Sequence, residues 1–296
     1  MTVPASAANL GPGFDTLGLA LALHNEILLE EDQQVTVTIA GEGAQTLPRS
    51  ERNVVVRGAR AVYQAAGRPF HGLRASMRNQ IPPSRGLGSS AAAWLGGIVG
   101  ANELLGAPLD ADQVLTLAAR QEGHPDNVAA AFLGGLTVSC WHNDQVAAVK
   151  LRVASSFSWV VCIPDRTGST AEARAVLPET VSRADAVFNV GRACLLLAAL
   201  SEGRRELLAV AMDDRLHQPY RRKLFPWMDA VMAEARSAGA LGSVLSGAGP
   251  SILSVVDGDP EQVAEAIRKL LPTLSLSGRV QVIAVDPQGT RVEKES

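Results

Sequence analysis

The stretch from Pro82 to Ala93, PPSRGLGSSAAA, constrains this chain more than any other. Gly86 and Gly88 are followed directly by Ser89 and Ser90, and an alanine-rich run then reads as a helix to Leu105. A glycine turn at a helix N-terminus gathers free backbone N–H groups and the positive end of the helix dipole at one point. It is a ready-made anion site. Both glycines can adopt positive φ and let a ligand approach the backbone. Ser89 and Ser90 are expected to cap the helix, and one hydroxyl can also reach a metal or a phosphate. The loop is not a Walker A sequence, which ends in Gly-Lys-Ser/Thr. The chain has four lysines, and the nearest to this loop is Lys150. The third glycine of a Rossmann fingerprint is absent too. A tight turn with a serine cap and no ligand is the plain alternative.

The 296 residues allow one large domain or two ordinary ones. With 47% hydrophobic and 19% charged residues, a sizeable core is available. The net charge of −3 and the dispersed arginines argue against nucleic acid or a membrane surface as partner. Cys140, Cys162 and Cys194 are widely spaced, in apolar surroundings and without a CxxC or Cys/His cluster. Buried thiols in a reducing compartment are expected, and a zinc site is not. No signal peptide and no apolar run of membrane-spanning length are visible, so the expected location is the cytoplasm.

Along the chain, residues 17–40 read as strands, and Asn53 opens a segment whose later part reads as a helix ending at Gly67. Leu73–Met77 is a strand candidate leading into the glycine loop. Gly96-Gly97, inside the following helix, cost roughly 1 kcal/mol each relative to Ala, which implies a backbone packed closely against them. Residues 110–133 read as helix interrupted at EGHPDN, followed by a strand over 136–141. The apolar pattern weakens over 143–155, and a domain boundary is placed there: 1–154 and 155–296. The second half alternates helices (183–201, 205–213, 226–238, 260–271) with strands (159–163, 243–245, 252–256, 280–285). That alternation predicts a two-layer α+β domain.

Three segments together resemble the motifs of the GHMP kinases. The first is VPASAANLGPGFD, Val3 to Asp15; the second is the glycine loop; the third is LSGAGPSIL, Leu245 to Leu253. They occur in the family's order and span nearly the whole chain. Only two residues precede Val3-Pro4-Ala5, so a short first strand is expected. The resemblance implies an α+β fold, the GHMP kinase fold: an N-terminal domain like ribosomal protein S5 domain 2 and a ferredoxin-like C-terminal domain. It also implies ATP and Mg²⁺ as cofactors. ATP would lie against Pro82, Pro83, Ser84, Arg85, Gly86, Leu87, Gly88, Ser89, Ser90, Ala91 and Ala92, with Asn53 and Val54–Val56 on the adenine side. Ser90 and Glu122 would be the metal ligands, a set that suits a cation preferring oxygen and keeping several waters.

The Gly-Phe-Asp ending of the first motif, HPDN (His124 to Asn127), STAEAR (Ser169 to Arg174) and HQPYR (His217 to Arg221) resemble the branch of the family whose acceptor is L-homoserine. Gln218 departs from that branch by standing where it carries an acid. In this reading Arg174 and Arg221 face the substrate carboxylate, since a guanidinium pairs with carboxylate in bidentate fashion. Asn9, Asp15, His124 and Asp126 lie around the ammonium group, and Thr170 and Asn127 sit with Arg174 near the chemistry. No side-chain base is expected, because Asn127 stands where the mevalonate branch is thought to carry a carboxylate; Asp126 and His124, both titratable and close by, are the alternative bases. The partners implied are L-homoserine, ATP and a second copy in a homodimer. A GHMP kinase for mevalonate or a diphosphocytidyl-methylerythritol, or a non-catalytic binding protein of this fold, are the alternatives.

Overall fold

The computed structural model describes residues 1–293. Its first half builds a sheet from β1 (Thr2–Ala8), β2 (Leu17–Glu31), β3 (Val35–Gly41), β4 (Leu73–Asn79), β5 (Leu136–His142) and β6 (Gln145–Leu151). The order is β3-β4-β2-β5-β6, with β1 also paired to β2; β3 and β4 are parallel and the other pairs antiparallel. β1 is seven residues long. β6 lies where the apolar pattern weakens. It is an edge strand with mostly exposed side chains, so burial leaves little trace in its sequence.

Four helices join this sheet: α1 (Val54–Ala65), α2 (Ser89–Leu104), α3 (Ala111–Glu122) and α4 (Asp126–Leu133). α1 begins earlier than the three valines suggest, because the Asn53 side chain caps it by accepting from the Val55 N–H. Gly97 has the role its cost implied: a Cβ there would overlap the Val55 carbonyl oxygen, so α1 and α2 touch backbone to backbone. α2 and α4 pack on β1 and β2.

The second half is a four-stranded antiparallel sheet ordered β10-β7-β9-β8, from β7 (Ser158–Pro164), β8 (Ala240–Leu245), β9 (Ile252–Val256) and β10 (Gly278–Ile283). This is the strand order of a ferredoxin-like layer. Its helices are α5 (Thr170–Ala175), α6 (Arg183–Glu202), α7 (Arg205–Ala211), α8 (Gln218–Arg221), α9 (Met228–Ser237) and α10 (Pro260–Leu270). β7 is apolar without alternation because both of its faces are covered. Trp159, Val161 and Ile163 join the large core shared with the first layer, while Val160 and Cys162 pack towards α9 and α10. α6 is long and apolar enough by composition to cross a membrane, but Leu196, Ala199 and Leu200 are in the core, and Asn189 donates to Pro12 O and Asp214. Of the cysteines only Cys162 is buried; Cys140 and Cys194 are exposed, and all three are free thiols.

We propose residues 154/155 as the division between the layers; Lys294–Ser296 of the second lie outside the described residues. The segment after β10 runs back to the first sheet. Ala22 N–H donates to Ala284 O, Asp286 N–H to Ala20 O, and Arg291 bridges Thr2. Asp286 locks this return. Its buried carboxylate accepts from His24 Nε2 at 2.6 Å, from the Gln288 and Gly289 N–H groups, and from Arg291 at 3.3 Å. Burial pushes its pKa up, but these donors outweigh burial and hold it below the usual carboxylate range. Its stabilising contribution is therefore present above about pH 4 and is lost as pH falls through the lowered folded value. Asp286→Asn should cost about 1–3 kcal/mol at pH 7. In urea unfolding, the gap between wild type and variant should close towards pH 2–3; a gap independent of pH would contradict this assignment.

Candidate active site

The two layers meet around a cavity of about 640 Å³. One wall is the glycine loop. Gly86 (φ 72°) and Gly88 (φ 68°) are both left-handed, and Gly88 is the N-cap of α2. The serines do not cap, contrary to expectation: Ser89 and Ser90 are the first two helical residues, and no side chain accepts from the first turn. The reason is geometric. A capping side chain must come from the N-cap position, and a Cβ on Gly88 would overlap the Ser6 hydroxyl. The first-turn N–H groups of α2 are left without a side-chain partner, facing the cavity side of the loop.

Ser84, Arg85, Gly86, Leu87, Gly88, Ser89 and Ser90 all line the cavity. Pro82, Pro83, Ala91 and Ala92 do not; Ala91 and Ala92 are in the core. Asn53 and Val54–Val56 do not line it either. The Asn53 amide is committed to the α1 cap and to Pro48 O, and Val55 and Val56 are fully buried. The Arg85 side chain ties the loop to the second layer, donating to Pro164 O at 2.9 Å and Asp165 O at 3.2 Å.

At the rim, Ser90 Oγ donates to Glu122 Oε2 at 2.6 Å. Glu122 ends α3, and burial raises its pKa more than the Ser90 hydrogen bond lowers it. Among the described residues no group of three or more His, Cys, Asp or Glu side chains forms a cation cage. Deeper in, Asp126 accepts from His124 Nδ1 at 2.6 Å and from the Asn127 N–H at 2.7 Å. Burial alone would lower the His124 pKa, but the Asp126 hydrogen bond and the charges of Asp126, Glu122 and Asp15 raise it overall. Asn127 Oδ1 accepts from the buried hydroxyl of Ser6 at 2.9 Å, which leaves Nδ2–H as the group Asn127 can offer.

The first motif supplies Asn9 and Asp15. Asn9 lines the cavity and also braces it: Nδ2 donates to Gly247 O in the third motif, and Oδ1 accepts from the Asp15 N–H. Arg174, at the end of α5, donates both arms of its fork to the Asp15 carboxylate, at 2.9 and 2.7 Å. Thr170 opens α5 and lines the cavity. Arg221 is 2% exposed and donates to Ala173 O, Gly247 O and His217 Nδ1. Phe14 lies beneath both guanidiniums, 5.5 Å from each. Gln218 faces away from the cavity and accepts from the Leu245 N–H.

Sequence reasoning passed over Ser6, Phe14, His217 and the loop residues Thr167 and Gly168. Ser6, Phe14 and His217 lie inside segments already singled out, so position within a motif was the available signal. The loop has none, since it is placed by contact alone: Gly168 N–H donates to Ser84 O.

Residues 53–135 match the GHMP kinases N terminal domain, and residues 196–273 match the GHMP kinases C terminal domain. A homoserine kinase of Moorella thermoacetica is 49% identical over 265 residues, 90% of each chain. One from Caldicellulosiruptor bescii is 41% identical over 98% of this chain and 95% of its own. The crystal structure of homoserine kinase from Cytophaga hutchinsonii superposes with a TM-score of 0.88 at 30% identity, covering 97% of this chain and 95% of that one. Mevalonate kinase of L. major shares the fold, with a TM-score of 0.69 at 17% identity over 94% of each chain. With the open glycine turn and the three motifs converging on one cavity, these matches establish that this chain belongs to the GHMP kinase family.

Proposed function

We propose that this chain is a homoserine kinase, transferring the γ-phosphoryl group of ATP to the side-chain hydroxyl of L-homoserine to give O-phospho-L-homoserine, a step in threonine biosynthesis. One observation carries the reading: a single cavity is lined by the uncapped start of α2 and by Asp15, Arg174 and Arg221. The first suits the triphosphate. The second presents one carboxylate beside two guanidiniums, the complement of an α-amino acid's ammonium and carboxylate. An assay of ADP release with L-homoserine, L-serine and mevalonate side by side tests it. Turnover confined to homoserine is expected; mevalonate use would overturn the reading.

Ser90 and Glu122 offer two hard oxygen donors 2.6 Å apart at the cavity rim. They fit Mg²⁺, which takes few protein ligands and completes its shell with water and phosphate oxygens. When bound it would neutralise charge on the β- and γ-phosphates. Phosphoryl transfer through a loose transition state depends on positioning and charge stabilisation more than on early proton removal. The donor Nδ2–H of Asn127 can hold the attacking hydroxyl oxygen but cannot take its proton. The proton then leaves through a γ-phosphate oxygen or water. The reading extends to a cytoplasmic homodimer on the family resemblance; a monomer mass in light scattering overturns the dimer.

Glu122→Gln and Ser90→Ala should each lower turnover on the order of 10²-fold while the fold persists by circular dichroism. Wild-type turnover of both at limiting Mg²⁺ would remove them from the metal site. Arg174→Lys should lower kcat/KM for homoserine by about tenfold or more, since an ammonium cannot hold Asp15 through a fork and still reach the substrate carboxylate; an unchanged value excludes Arg174 from the carboxylate site. His124→Gln should slow single-turnover phosphoryl transfer by much less than the roughly hundredfold expected of a lost general base. A larger fall, with homoserine affinity intact, would assign His124 as the base.

A further inference from the structure

His217 precedes α8 and is completely buried. Its protonation can be read from its neighbours. Nδ1 lies 3.0 Å from Arg221 Nη1, and a guanidinium nitrogen can only donate, so Nδ1 carries no proton. Nε2 lies 2.7 Å from Gly11 O, a pure acceptor, so the proton is there. The ring is neutral and in a single tautomer. The Asp214 carboxylate is also close, 3.4 Å from Nε2, but it is engaged by Asn189 and by the N–H groups of Leu216, His217 and Gln218. Burial pushes the His217 pKa down to about 4, against the attraction of Asp214 and with the repulsion of Arg221.

The two arginines of the cavity are held in opposite ways. Arg174 gives both arms to a carboxylate, Asp15. Arg221 touches only neutral acceptors: Ala173 O at 3.1 Å, Gly247 O at 2.9 Å and His217 Nδ1. Its Nη2 has no hydrogen-bond partner among the described residues, and the side chain lines the cavity. Burial, with repulsion from Arg174, brings its pKa down to about 10 against the attraction of Asp15, Asp214 and Asp126, none of which is hydrogen-bonded to it; it stays charged at neutral pH. His217 also stacks on Phe14, with ring centroids 5.4 Å apart, so its orientation is fixed from two sides.

We propose that His217 is a positioning residue for substrate selection: it anchors Arg221 through a neutral acceptor, so that no carboxylate is hydrogen-bonded to the guanidinium and it stays available for the carboxylate of the acceptor substrate. This rests on the homoserine kinase reading. A carboxylate in the place of the imidazole would anchor Arg221 as firmly. It would also pair with it, and the substrate carboxylate would have to compete with that pair.

The test compares His217→Asn and His217→Asp in the full chain. Either side chain can place an oxygen near the position of Nδ1; the two are nearly the same shape and differ in charge. The KM for L-homoserine should be about tenfold or more higher in the Asp variant than in the Asn variant. The KM for ATP, and kcat/KM for L-homoserinamide, which lacks the carboxylate, should be the same in both. Equal homoserine KM values overturn the proposal. So does an Asp variant that loses homoserine and homoserinamide alike, which is a structural role only. If the Asp variant does not fold, ¹⁵N NMR of the wild-type imidazole decides: a bare Nδ1 and a protonated Nε2 from pH 7 to 5.5 support the proposal, and a protonated Nδ1 overturns it. A wild-type protein that leaves homoserine untouched overturns the activity reading itself. A working wild type whose two variants share one KM overturns only the role of His217.

Discussion

Everything at the active site depends on the backbone contact between the glycine turn and the third motif. Ser246 Oγ donates to Gly86 O at 2.6 Å, and the Ser251 N–H donates to Arg85 O. A Cβ on Gly86 would overlap Ser246 O, so this approach is open only to glycine. The first motif closes the set: the Gly247 N–H donates to Ala8 O, and the Ser6 N–H donates to Leu87 O. Three segments far apart in sequence thus hold one another through main-chain groups, with the side chains of Ser246 and Asn9 as added donors. The side chains of the site are attached to that knot, and their positions follow from it.

The knot creates a positive potential without lysine. The open end of α2 contributes partial charge from fixed dipoles, which need not be immobilised when an anion arrives. Full charges are placed sparingly around it. Asp15 and Arg174 offset one another, Asp126 is tied to His124, and Arg221 meets neutral acceptors. The cavity thus presents fixed backbone dipoles at the glycine turn and a small set of full charges elsewhere in its lining.

The fold was legible to the extent that burial and turn chemistry write themselves into sequence. The alternation of helices and strands after residue 158 and the tight packing at Gly97 came through, because each carries a strong local signal. β6 did not, since an exposed edge strand has no apolar periodicity to read. The start of α1 was hidden by three β-branched residues, whose weak helix preference the Asn53 cap overrides. For the site, the motifs named the right segments, but roles within them were harder. The expected serine caps failed because Gly88 must be bare beside Ser6. Asn53, set on the adenine side, is occupied as a cap. Arg174 and Arg221 look alike in sequence. Only their partners, one carboxylate and three neutral acceptors, separate them, and those partners come from segments up to 159 residues away.

The return of residues 284–291 to the first sheet bears on how the chain reaches this structure. The hydrogen bonds from Ala22 to Ala284 and from Asp286 to Ala20, with the bridge between Thr2 and Arg291, join the start of the chain to its last described residues. On the ribosome, the first layer emerges early and can collapse around its own helices, yet its partner for Ala20–Ala22 arrives only once residues 284–286 have been made. Domains generally fold as units in the order of synthesis. Here the first unit waits for the last segment, and the glycine turn waits with it for the third motif. A nascent chain therefore holds no complete cavity until the third motif, Leu245 to Leu253, has been made.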